Sequence, residues 1–278
     1  MPELPEVETV RRGLNNLTLN REIIGGEVLL ERTVASPVSP TEFLQKIKGN
    51  IITLWQRHGK YLIAQLSPHC SWWGVHLRMT GQLLWLNQDE KLHKHTRVRL
   101  FFHDDWELRF VDQRTFGRMW LVHPPADIEG VITGLAKLAI DPFSNEFKVE
   151  YLVNRLKILT RPIKSALLDQ SIVSGIGNIY ADEALFLSRI LPYTKCIDLQ
   201  RSQIADLHEA IIRVLETSIA FGGTTFSNFL NIQGVNGKYG HMAWVYNRTG
   251  EPCRICSHSI QRIKLGGRSS HFCPQCQN

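Results

Sequence analysis

No segment of the 278-residue chain approaches the ~20 consecutive apolar residues that a membrane helix needs, and the N-terminus lacks a basic start followed by an apolar run. A soluble, cytosolic protein with no membrane partner is expected. Charge of either sign is also far from extreme. Thirty-two Lys and Arg against 26 Asp and Glu leave a net +6, which favours a polyanionic partner such as nucleic acid without requiring one. No Gly-Lys-Ser/Thr follows the glycine-bearing turn at Gly175 and Gly177, so a nucleotide-binding P-loop is excluded. Nor do the six cysteines spread out as a disulfide framework: four cluster in pairs near the C-terminus, while Cys70 and Cys196 stand alone as ordinary thiols. With 43% hydrophobic residues the chain has no disordered character and is long enough for two sizeable cores.

What is present changes character along the chain. Glu3 to Leu14 places Val7, Val10 and Leu14 at helical spacing, and Gly13 with Asn15-Asn16 reads as the end of that helix. From Ile23 to about Val122, short runs rich in Val, Ile, Leu, Trp and Phe read as the strands of a β-sandwich or barrel, and six of the seven tryptophans lie among them. The strand pattern stops around His123-Pro124-Pro125, where a domain boundary is expected. Beyond it the apolar spacing is helical over 147–159 and again from Ile204 to Leu215, ending near Gly222-Gly223. Between those helices, 164–170, 171–177 and 178–186 read as helix, glycine-bearing turn and helix. Asn178 suits the N-cap of the second helix, and the turn could leave outward N–H groups as an anion site.

Two stretches carry chemistry. The first is Met1-Pro2-Glu3-Leu4-Pro5-Glu6-Val7-Glu8. Removing Met1 would expose the secondary amine of Pro2, an α-amine that titrates near ~8 without special tuning. Such an amine can attack a sugar C1′ and form an iminium, with Glu3 and Glu6 at hand for proton transfer. The plainer alternative is that Pro2 and Pro5 start a helix whose dipole favours Glu3, Glu6 and Glu8. The second stretch pairs Cys253-x-x-Cys256 with Cys273-x-x-Cys276 across sixteen residues, a closed four-sulfur shell for one structural zinc ion. The loop it clamps carries Arg262, Lys264 and Arg268 beside Gly266-Gly267. His258 and His271 are possible alternative ligands that the four cysteines make unnecessary.

The Pro2–Glu8 start, Gly59-Lys60-Tyr61-Leu62, His76-Leu77-Arg78-Met79-Thr80-Gly81, Gly175-Ile176-Gly177-Asn178-Ile179-Tyr180 and the terminal cysteine hairpin together resemble the formamidopyrimidine-DNA glycosylases, in that family's order and from end to end. The resemblance implies an α+β multidomain fold: an N-terminal β-sandwich with an N-terminal helix (1–130), a helix-two-turn-helix domain (131–248) and a zinc-finger β-hairpin (249–278), with DNA in the cleft between domains. It implies a monomeric glycosylase and lyase acting on double-stranded DNA that contains oxidised bases or abasic sites. Pro2 would be the nucleophile, Glu3 and Glu6 would serve proton transfer and ring opening, and Lys60, Asn178 and Arg268 would hold phosphates, with His76 resembling a further phosphate contact. Met79, Arg114 and Phe116 match the residues inserted into the duplex when the target base leaves the stack. The segment Asp112-Gln113-Arg114-Thr115-Phe116 departs from the family in lacking the proline and second basic residue common after the Asp. The lesion-capping stretch, 222–228 through 237–240, follows the family only loosely. Two other readings stay open: an endonuclease VIII relative that prefers oxidised pyrimidines, and a non-catalytic zinc-finger DNA-binding protein.

Overall fold

The computed structural model describes residues 1–224 and 231–278, which form two compact units: Met1–Ala136 with Phe221–Lys238, and Lys137–Ala220 with Tyr239–Asn278. The first unit begins with helix α1 (Leu4–Thr18), followed by β1 (Gly25–Val28), β2 (Val34–Ser36) and helix α2 (Pro40–Ile47). Strands β3 (Ile51–His58), β4 (Tyr61–Ser67), β5 (Ser71–His76), β6 (Gly81–Asn87), β7 (Thr96–Phe101), β8 (Trp106–Asp112) and β9 (Arg118–Val122) come next, then the short helix α3 (Ile128–Val131). They build a four-stranded sheet, β1-β7-β8-β6, and a five-stranded sheet, β2-β9-β5-β4-β3. One continuous core draws side chains from both sheets and both longer helices, with Trp55 and Trp73 edge to face at 5.1 Å near its middle.

Burial along the strands follows from what covers each face. β6 and β7 alternate buried and half-buried positions because only one face meets the core. β4 and β5 are buried almost throughout, since the segment after β9 lies on their second face. A Cβ on Gly74 would come within 2.4 Å of Ile132, and one on Gly134 would overlap the Tyr61 hydroxyl. Helix α1 does not stop at Gly13 but runs to Thr18. Gly13 is there for space, because a Cβ would collide with Ile232 Cγ2. Asn15 is there for the sheet: its side-chain amide donates to Trp55 O and accepts from Trp55 N, both at 3.0 Å. Trp55 Nε1 donates to Thr18 Oγ1 at 3.0 Å. The helix that carries the N-terminus is thereby fixed to β3.

The second unit comprises α4 (Val149–Leu156), α5 (Ile163–Leu167), α6 (Asn178–Leu187), α7 (Arg201–Ala220) and the hairpin of β10 (Gln261–Leu265) and β11 (Arg268–Phe272). Residues 179–186 of α6 are all buried, including Asp182 and Glu183. Glu183 is satisfied by the N–H groups of Trp244, Val245 and Tyr246 at 2.7 to 2.9 Å. Among the described residues no helix is long and apolar enough to cross a membrane.

Candidate active site and metal centre

Glu3 is the N-cap of α1 and Glu6 is its N3 residue, so the acidic start forms the helix cap that local chemistry favours. Glu6 Oε2 accepts the Glu3 N–H at 2.8 Å, and Glu6 Oε1 accepts the Thr224 N–H at 2.8 Å and its hydroxyl at 3.2 Å. Both carboxylates are buried. Burial lowers the pKa of the Met1 amine; Glu3 and Glu6 oppose this, and Lys60 and Arg114 add smaller lowering contributions. Four of the residues singled out in the sequence therefore act electrostatically on the same terminus. With Met1 attached, the Pro2 nitrogen is an amide without an available lone pair. Glu8 plays no such part: burial disfavours its charged form, but hydrogen bonds from Arg11 and Arg12 and the charge of Arg57 hold its pKa down at about 2.

Lys60 occupies the second position of a two-residue hairpin turn between β3 and β4. Gly59 supplies the positive φ of 56° that the first position needs, and Lys60 ends up 8% exposed. His76, the last residue of β5, stands edge-on to Tyr61 with ring centroids 4.5 Å apart, and its Nδ1 accepts the Arg78 N–H at 3.0 Å. Burial, aided by Arg78 and Lys60, pushes its pKa down to about 3. The ring is neutral at working pH and its proton sits on Nε2, a donor suited to a phosphate oxygen.

The loop after β8 closes without a proline. Asp112 accepts the Gly117 N–H at 2.7 Å and the Thr80 hydroxyl, and Thr80 Oγ1 accepts the Arg114 N–H at 2.9 Å. Arg32, from outside the loop, donates to Thr115 Oγ1. The Arg114 guanidinium stacks 5.0 Å from the centre of the Phe116 ring, which is 48% exposed. Met79 and Phe116 share with Met1, Arg78 and Arg118 the lining of a pocket of about 380 Å³. Of the expected lesion-capping stretch, residues 225–230 lie outside the described residues. Its base is held by Glu6 through Thr224.

In the second unit Asn178 is the first residue of α6, and the N-cap is Gly177 instead. Its Nδ2 donates to Ser269 O at 3.1 Å, and Lys164 Nζ donates to the same carbonyl at 2.6 Å. Lys164 also pairs with buried Asp182 at 2.6 Å, and Asp182 Oδ2 takes both the backbone N–H and ring Nδ1 of His271 at 2.9 Å. The start of α6 and the strand that begins with Arg268 are thus stapled together, with Asn178 beside the strand and Arg268 exposed at its first position. His271 serves this staple and is not a metal ligand. Sequence reasoning missed the staple, together with Arg32, Arg78 and Arg118.

The sulfurs of Cys253, Cys256, Cys273 and Cys276 lie within 4.8 Å of one another. Their separations of 3.8 Å (Cys253 to Cys276) and 3.5 Å (Cys256 to Cys273) are far beyond a ~2.05 Å disulfide. Zinc–sulfur bonds of ~2.3 Å at tetrahedral angles place sulfurs about 3.8 Å apart, so the set fits one structural zinc. Burial disfavours the Cys253 thiolate, but the N–H groups of Cys256 and Ile255 and the neighbouring thiols hold its pKa down at about 7, while burial and the neighbouring thiols push Cys273 and Cys276 up. Cys253 and Cys273 share a small core with Phe186, Val245 and Ile260, which ties the metal hairpin to α6.

Residues 1–119 match the formamidopyrimidine-DNA glycosylase N-terminal domain, 138–229 its H2TH domain, and 250–278 the zinc finger found in FPG and IleRS. The chain is 70% identical to the formamidopyrimidine-DNA glycosylase of Nostoc punctiforme, covering 100% of this chain and 96% of the relative. It is 69% identical to that of Trichormus variabilis, covering all of both. Among solved structures, a complex of Lactococcus lactis Fpg with abasic-site DNA aligns with a TM-score of 0.91 at 35% identity over 99% of each chain. A complex of a mutant of the same enzyme with Fapy-dG-containing DNA aligns at 0.91 and 34% over 100% of each.

Proposed function

Because the chain belongs to the formamidopyrimidine-DNA glycosylase family, we infer that it is a bifunctional glycosylase and AP lyase of base excision repair, acting on oxidised purines and abasic sites in duplex DNA. It works in the cytoplasm on chromosomal DNA, as a monomer. Residues 1–130 carry the chemistry, while 131–248 and 249–278 grip the backbone.

What supports the residue assignment is that Glu3, Glu6, Lys60 and Arg114 all act electrostatically on the buried amine of Met1, one residue from Pro2. After Met1 is removed, the Pro2 nitrogen attacks C1′ of the flipped nucleotide, and the base leaves as the C1′–N bond breaks. Glu3 moves protons at the sugar and opens the ring to an iminium, whose positive nitrogen acidifies the C2′ proton. Loss of that proton expels the 3′ phosphate, and a second elimination expels the 5′ phosphate. Lys60, His76, Asn178 and Arg268 stabilise these phosphates, and zinc holds the hairpin that presents Arg268. Met79 and Phe116 fill the vacated stack while Arg114 meets the widowed base. The purine branch is favoured over the pyrimidine one by Met79 with the stacked Arg114–Phe116 pair.

Borohydride trapping on DNA with 8-oxoguanine, followed by peptide mapping, tests the assignment. Processed protein should carry the DNA on Pro2, and protein retaining Met1 should bind without trapping. A cross-link on Lys60, with the Met1 form trapping equally well, would remove the N-terminus from the role of nucleophile.

A further inference from the structure

Arg78 sits where its backbone is strained. The turn joining β5 to β6 is closed by the Gly81 N–H on Leu77 O at 2.9 Å, and Arg78 enters it with φ +54°. Glycine adopts that conformation freely, whereas a side chain there costs about 1–2 kcal/mol. The Arg78 backbone N–H serves His76, but its guanidinium is exposed, with no hydrogen-bond or ion-pair partner among the described residues. Among the described residues the second cation of the same pocket, Arg118, bonds only the Gly117 carbonyl, at 3.0 Å. The pocket they share with Met1, Met79 and Phe116 has no acidic lining residue. Two guanidinium groups without a carboxylate, beside the amine that performs the chemistry, make a site for an anion that arrives from outside.

We propose that Arg78 and Arg118 clamp a DNA backbone phosphate at the mouth of the N-terminal pocket, and that the strained turn is kept because only a left-handed residue 78 presents its guanidinium there. The inference rests on the reading that the chain acts on DNA. The clamp positions the strand and moves no proton. Each guanidinium contributes one phosphate contact, so its loss weakens binding evenly across sequences instead of changing base preference.

The test uses full-length, zinc-loaded, processed protein and a duplex with a tetrahydrofuran abasic analogue. The affinity of Arg78→Gly, Arg78→Lys and Arg118→Ala is measured from low to moderate salt. Arg78→Gly and Arg118→Ala should each lower the slope of log affinity against log salt by ~0.9, whereas Arg78→Lys keeps it. Arg78→Gly should melt no lower than the parent because the turn is relieved, so weaker binding would not reflect misfolding. A parental salt slope in either Arg78→Gly or Arg118→Ala overturns the clamp. So does a change in opposite-base preference without a change in slope, which would make Arg78 a base reader. Borohydride trapping by the parent enzyme checks the underlying glycosylase reading separately, since it depends on neither arginine.

Discussion

Glu6 holds Thr224 through two hydrogen bonds to one carboxylate oxygen, while its other oxygen holds the Glu3 N–H. The start of α1 and Thr224 therefore share one buried side chain. Glu6→Gln replaces one acceptor by an N–H donor facing N–H donors. A buried mismatch of this kind costs about 1–3 kcal/mol. Excision of 8-oxoguanine should fall more than cleavage of a preformed abasic site, as single-turnover rates on the two substrates would reveal. Equal losses on both would assign Glu6 to the lyase chemistry instead.

Arg114 is held ready by Phe116 below it and by its own N–H on Thr80. Bidentate contact with an orphaned base discriminates by about 1–3 kcal/mol, so Arg114→Ala should flatten the preference for cytosine opposite the lesion by roughly 5- to 150-fold. Excision rates opposite each of the four bases are the measurement. An unchanged ranking would exclude Arg114 as the reader.

Sulfur spacings that suit an ion and not a disulfide lead to a further expectation. Cys253→Ser should lose zinc and DNA affinity together, because the hairpin that carries Arg268 rests on the metal and on the core around Phe186. Metal analysis beside a gel-shift titration tests this, and full DNA binding by demonstrably zinc-free protein would contradict it.

His76 is neutral when folded, with a pKa near 3 against ~6.5 in the unfolded chain. The unfolded state therefore binds the extra proton between those values, and the contribution of His76 to stability is complete above ~6.5 and drains away as pH falls toward 3. The slope from this one group reaches ~1.4 kcal/mol per pH unit. Urea titrations of the parent and His76→Gln at several pH values should diverge in slope over that window and run parallel above it. Parallel curves throughout would show that His76 is not held neutral by the fold.

Residues whose chemistry is local were legible in the sequence. Four cysteines at metal spacing, the Pro-Glu start as a helix N-terminus and short β-branched runs declare themselves because each signal depends on near neighbours along the chain. Residues serving distant partners misled or stayed silent. Gly13 and Asn15 carry helix-stop chemistry, yet here they make room for Ile232 and pair with the backbone of Trp55, so the helix runs past both. Asn178 has the right side chain for an N-cap, yet Gly177 takes that position and the Asn178 amide nitrogen reaches Ser269 O, far along the chain. Lys164, Asp182 and His271 lie far apart in sequence and meet only through the fold, and the strain at Arg78 is a backbone property that no residue type announces.

The return of residues 221–238 to the first unit sets an order of events on the ribosome. The notch at Gly13 waits for Ile232, and the outer oxygen of Glu6 waits for Thr224, so the first unit cannot be finished until most of the chain has been made. Until then the N-terminus has no completed cap to bury it. On the proposed reading, removal of Met1 would have its opening early in synthesis, before Thr224 and Ile232 have joined the first unit.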